Sequence, residues 1–125
     1  MTKKNDYDSL IQNIGKLHKK IRFIAIISKN GIILKSEMRD EVPSLLKTKN
    51  EEKFCQDVTV RRKMREEFDK SLGKVRFVNV ERENISQIVM YAKTKSLFVT
   101  VEPEISINDK TKIISQIKKL TSNLK

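Results

Sequence analysis

Tryptophan is absent from the chain, cysteine and histidine occur once each, proline twice and glycine three times. A lone cysteine cannot close an intramolecular disulfide, and no apolar stretch is long enough for a signal-peptide core or a membrane span. The expected setting is therefore the reducing cytoplasm. His18 and Cys55 have no second ligand in a metal-binding spacing, and nothing pairs Cys55 with a histidine as an activated nucleophile. His18 reads as a surface or boundary residue, and Cys55 as a half-buried helix position beside Phe54. Gly15, Gly31 and Gly73 stand apart from one another, which argues against phosphate loops of the Walker or Rossmann kind. Pairs such as Glu51-Glu52 and Glu66-Glu67 are ordinary surface features, with no sign of a buried acid pair. No cofactor, metal or catalytic activity is expected.

What is present is charge and β-branched residues. The 125 residues suit a single domain over 1–125, with the polar residues 1–5 expected to fray. A hydrophobic content of 38% supports a core, and 34% charged residues need a well-hydrated surface. The formal net charge of +11 favours an acidic partner or nucleic acid, yet the lysines are spread from Lys3 to Lys125. A diffuse distribution of that kind serves solubility before it serves binding.

The run Phe23-Ile24-Ala25-Ile26-Ile27 is apolar without alternation, so it predicts a strand covered on both faces. Asn30-Gly31 then predicts a tight hairpin into Ile32–Leu34. Ahead of the hairpin, Leu10, Ile11, Ile14, Leu17 and Ile21 recur at helical spacing and predict a helix from Asp6 to Lys19. Pro43 and Ser44–Leu46 suggest a short helical turn. A long helix is expected from Asn50 to Leu72, with a stripe of Phe54, Val58, Arg61, Met64 or Arg65, Phe68 and Leu72, closed by Gly73. Strands are expected over Val75–Val80, Ile85–Lys93 and Leu97–Val101, ordered as an antiparallel meander. A last helix follows, capped by Ser106 or Asn108, with Ile113, Ile114, Ile117, Leu120 and Leu124 on its inner face. The predicted class is α/β (α+β): one five-stranded antiparallel sheet with helices on both faces, in the order α-β-β-α-β-β-β-α.

That succession, with the Asn30-Gly31 hairpin after the first helix and a long helix before the meander, resembles the roadblock/LC7 domain of the profilin-like group. At closer range the pieces Leu17–Phe23, Met38-Arg39, Val42-Pro43 with Leu45-Leu46, Arg62–Arg65 with Phe68, Leu72–Val75 and Glu81–Glu83 are similar to a set of small archaeal proteins without an established activity. The roadblock resemblance implies a sheet order 2-1-5-4-3, with the first and last helices on one face and the middle helix on the other. It also implies a homodimer in which middle helices and third strands meet across a two-fold axis, and a non-catalytic role regulating or scaffolding small GTPases. The chain departs from that picture at Arg61, Arg62, Lys63 and Arg65, whose like charges would repel at a two-fold unless they fan outward or meet Glu66, Glu67 and Asp69 of a second copy.

Those four cations are the best candidate site for an anion or a partner. Arg61 and Arg65 are four residues apart, so their guanidiniums could converge, with Arg62 alongside, on a phosphate or a carboxylate. The plainer reading is a solvated helix face on which Arg62 pairs with Glu66 and Lys63 with Glu67, and it is preferred because such pairs require no ligand. Nucleic-acid binding is the second functional reading. It wants exposed aromatics for stacking, whereas most phenylalanines are expected in the core, which leaves Tyr7 and Tyr91. A small-molecule sensor is the third, because related profilin-like sheets cup ligands between sheet and helix, although no residue pattern marks a pocket.

Overall fold

The computed structural model describes residues 4–39, 48–122 and 124; the turn expected around Pro43 lies outside them. The elements are α1 (Lys4–Gly15), β1 (Ile21–Ser28), β2 (Ile33–Met38), α2 (Thr48–Glu66), α3 (Asp69–Leu72), β3 (Val78–Glu81), β4 (Ser86–Tyr91), β5 (Lys95–Val101) and α4 (Ile107–Thr121). The strands form one antiparallel sheet in the order β2-β1-β5-β4-β3. The unbroken apolar run of β1 is explained by its place. It lies between β2 and β5, and every residue from Ile21 to Ile27 is buried.

Alternation along β1 divides the core into two layers. Ile24 and Ile26 join Ile88, Met90, Leu97, Val99 and Val101 beneath α1 and α4, which contribute Leu10, Ile11, Ile14, Ile113 and Ile117. Phe23, Ala25 and Ile27 face the other way, with Val89 and Phe98, onto Cys55 and Val58 of α2. Helix α4 is capped by Ser106, whose Oγ accepts from the Asp109 amide at 3.1 Å. The connection ahead of β1 is tied to that helix through His18. Its Nδ1 accepts from the Lys20 amide at 3.1 Å, which leaves Nε2 to carry the proton toward Asp109 Oδ2 at 3.3 Å.

Several local expectations shift, and the first helix ends at Gly15 and not at Lys19. The hairpin after β1 is wider than a two-residue turn. Ser28 Oγ accepts from the amides of Asn30 and Ile32, at 3.2 and 3.1 Å, and only Gly31 has positive φ, at 85°. A side-chain oxygen that satisfies two amides stabilises the longer loop. The long middle helix breaks after Glu66, and the short α3 is closed by Gly73 at φ 84°. The third strand begins at Val78 and not at Val75, because this edge element pairs with β4 only as far back as Val78.

Helix α2 also meets the sheet by only the first part of the expected stripe, Phe54 and Val58. Cys55, Val58 and Thr59 point inward, while Met64, Phe68 and Leu72 are exposed. Cys55 is fully buried and not half-buried, and Phe68 and Phe77 lie outside the core. The docking is close. A Cβ built on Gly31 would stand 3.0 Å from the Gln56 Cα, so the hairpin turn abuts the α2 backbone.

Candidate interaction surface

The basic segment of α2 divides between two jobs. Arg62 leans over the β4–β5 hairpin, where Nη1 donates to the Lys95 carbonyl at 2.9 Å and to Ser96 Oγ at 3.3 Å. Its Nη2 donates to the Ala92 carbonyl, and its Nε lies 3.5 Å from Glu66 Oε2, the pairing expected four residues on. The guanidinium centre sits 4.9 Å from the Tyr91 ring centroid. Taking a guanidinium out of water is costly unless its donors find acceptors, and Arg62 has carbonyl, hydroxyl, carboxylate and ring partners at once. Arg65 joins the same cluster, with Nη1 donating to the Tyr91 hydroxyl at 2.9 Å. Arg61 and Lys63 remain exposed. The structure thus brings Arg62 and Arg65 together on Tyr91, as fasteners of helix to sheet, and leaves Arg61 and Lys63 facing solvent.

Beside these cations runs an exposed apolar row. Val60, Met64, Phe68 and Leu72 follow one another at four-residue intervals along α2 and into α3, and Leu72 keeps 82% of its surface accessible. Edge strand β3 adds the exposed Val80, while Phe77, exposed just before the strand, precedes Val78 by one residue and falls on the other side of the two-residue period. Val78 packs against the α2-side core, so the two-residue period of the strand places Val80 on the same side as α2. Met64, Phe68 and Leu72 belong to the stripe expected from sequence, but they point outward. Val60 and the β3 residues were not marked by that reading, although the four-residue interval starting at Val60 is visible in the sequence.

The remaining candidates are quiet. Burial pushes the Cys55 thiol up to about 11, with the negative charge of Glu51 adding to it, so no thiolate is available near neutral pH. Among the described residues, no three His, Cys, Asp or Glu side chains gather to hold a metal ion. No described helix is long and apolar enough to cross a membrane.

This architecture is shared with solved structures of low sequence identity. The gliding protein MglB of Thermus thermophilus matches with a TM-score of 0.77 at 10% identity, over 96% of this chain and 90% of that one. A roadblock/LC7 domain from Streptomyces avermitilis matches with a TM-score of 0.68 at 14% identity, over 91% and 92%. Profilin II of Acanthamoeba castellanii is more distant, with a TM-score of 0.52 at 11% identity over 90% of each chain. The fold is that of the roadblock/LC7 domains within the profilin-like group. The sequence belongs to the family described as a family of unknown function (DUF6659), whose model matches residues 3–124. No curated protein matches it.

Proposed function

We propose that this chain is a non-catalytic regulatory or scaffold domain that acts in the cytoplasm through protein contacts, as a homodimer, with a small GTPase as the partner class. The observation that carries the reading is the outward row Val60, Met64, Phe68 and Leu72, together with the open edge of β3. Exposed apolar residues in a contiguous row mark a contact surface, and an unpaired strand edge offers backbone donors and acceptors to a second strand. In a two-fold assembly both features are used together, helix against helix and edge against edge.

The cations fit this arrangement better than their spacing implied. Arg62 and Arg65 already have partners within their own chain, so Arg61 and Lys63 are left to oppose the two-fold mate. Exposed Glu67 supplies the opposite charge for them. The likeness of fold to roadblock/LC7 domains supports a regulatory role and the GTPase partner class.

Sedimentation equilibrium at moderate salt tests the reading, using the wild type, Met64→Glu and Leu72→Glu, each with and without a short mixed-sequence DNA duplex. A wild-type dimer that both variants dissociate, indifferent to DNA, is the expected result. A wild-type monomer that shifts onto DNA would overturn it and favour the charge-driven alternative.

A further inference from the structure

The polar residues on the α2 side of the sheet sit at the two ends of the groove beneath that helix, and the two ends are served differently. At one end Ile27 pairs with Ser96, and Ser96 with Tyr91. Arg62 and Arg65 reach down from α2 to satisfy Ser96 Oγ and the Tyr91 hydroxyl. At the other end Phe23 pairs with Thr100, Thr100 with Gln87, and Gln87 with Val80. Thr100 and Gln87 are 4% and 8% exposed, and they lie far from the reach of those two arginines. Among the described residues, the Thr100 hydroxyl is buried without a hydrogen-bond partner. Gln87 Oε1 accepts from Arg82 Nε at 3.2 Å, an orientation that commits the oxygen and leaves the amide hydrogens to donate elsewhere.

Between these residues and the first turns of α2 lies a cavity of about 710 Å³. Small-molecule sites typically fall between about 300 and 1,000 Å³, with apolar walls and a few fixed polar groups. One wall is aromatic, with Phe98 5.1 Å from Phe54 and 6.2 Å from Phe23, centroid to centroid, while Arg22, Glu51, Glu81, Arg82 and Glu83 bring charge of both signs to the rest of the lining. Two polar residues at interior sheet positions, one of them unsatisfied, break the apolar pattern of the sheet face at the cavity; the other buried hydroxyl without a partner among the described residues, Thr59 Oγ1, belongs to α2 and lies at the Gly31 turn, outside the cavity. A buried group without a partner calls for a physical explanation, and a bound ligand supplies one.

We propose that the cavity between the first turns of α2 and the Phe23–Thr100–Gln87 row binds a small aromatic molecule carrying a carbonyl or carboxylate oxygen. The ring lies against Phe23, Phe54 and Phe98, and the oxygen accepts from the Gln87 amide and the Thr100 hydroxyl. The site draws on no residue of the Val60–Leu72 row, and it meets the contact surface described above only at the end of β3, where Glu81 and Arg82 line the cavity.

The test is an amide-resolved NMR titration of the whole chain with indole-3-acetate and, separately, indole-3-acetamide, which distinguish a charged from a neutral head. Saturable shifts centred on Gln87, Thr100 and Phe98 with at least one probe are expected. Thr100→Val and Gln87→Met each weaken binding about three- to tenfold, the loss of one hydrogen bond. Ile85→Trp, placed at the cavity wall, abolishes it. A second readout separates a binding role from a packing one. Removing an unpaired buried hydroxyl relieves its desolvation, so Thr100→Val melts at the same temperature as the wild type or higher while losing affinity. The proposal is overturned by shifts confined to the Val60–Leu72 row, by wild-type affinity in the Thr100 and Gln87 variants, or by no saturable shift with either probe up to about 10 mM, beyond which affinity is negligible.

Discussion

Arg62→Ala separates a fastening arginine from a ligand-seeking one. The substitution removes donors from the Lys95 carbonyl and from Ser96 Oγ, a side chain only 2% exposed, and it uncovers the Tyr91 ring. A buried polar group left without its partner costs ~1–3 kcal/mol, and loss of a partly desolvated cation–π contact costs ~0.5–2 kcal/mol. The pair with half-exposed Glu66 at 3.5 Å adds only about a few tenths of a kcal/mol, because solvent screens it. These contributions are not additive, and a total of about 2–4 kcal/mol is expected, enough to lower the melting temperature by about 10 °C in a domain of this size. Urea denaturation followed by far-UV circular dichroism measures it directly, with Arg61→Ala and Lys63→Ala as exposed controls expected within about 0.5 kcal/mol of the wild type. Arg62→Lys should recover only part of the loss, since one ammonium cannot serve the carbonyls of Ala92 and Lys95 and also lie over a ring. An Arg62→Ala protein as stable as its controls would refute the fastening role and return this arginine to the pool of candidate ligand contacts.

Three further outcomes follow from the geometry. Gly31→Ala forces a side chain into positive φ and against the Gln56 backbone, so it should destabilise by about 1–3 kcal/mol in the same urea experiment; Gly73→Ala meets no obstruction but places alanine at φ 84° and ψ 168°, a region essentially reserved to glycine, and should also cost about 1–3 kcal/mol, from the backbone alone. The Glu81 carboxyl is held below its ordinary value of 4.5 by the Lys110 ammonium first and then by Ser86 and Asn79. A lowered folded value means that its stabilisation is complete above 4.5 and fades as pH falls through the folded value, so Glu81→Gln should flatten the acid limb of the urea midpoint against pH. Cys55 should resist a thiol reagent such as dithionitrobenzoate in native buffer and react promptly in urea, as burial and a raised pKa require; fast labelling of the folded protein would show that α2 does not shield it.

Much of the fold was legible where one physical pattern dominated. Strand β1 announced itself because five apolar residues without alternation suit only a strand covered on both faces, and α1 and α4 because Leu10, Ile11 and Ile14, or Ile113 and Ile117, fall on one helical side. Strand order came with the family resemblance and not from the residues, since antiparallel neighbours in the chain do not reveal that β5 inserts between β1 and β4. Helix α2 was misread because its apolar residues lie on opposite sides. Cys55 and Val58 anchor it inward, Val60 and Met64 face out, and the inward side then continues through an arginine. The cavity end was illegible for a different reason. Gln87 and Thr100 are unremarked polar residues in separate strands until the β4–β5 register sets them opposite each other.

The unequal thickness of the two core layers gives the molecule two degrees of permanence. On one side α1 and α4 share a broad aliphatic floor with the sheet; on the other a single helix rests on Cys55 and Val58 and is held near one end by Arg62 and along its middle by the Gly31 turn. Among α1, α2 and α4, it is α2 that rests on the smaller buried cluster, so its detachment is expected to be a separate, lower-energy opening of the native state than that of α1 or α4. Hydrogen exchange would show it as α2 amides that trade with solvent while those of the α1–sheet–α4 body stay protected. A partner that clamps α2 would then stabilise the whole chain by suppressing that excursion.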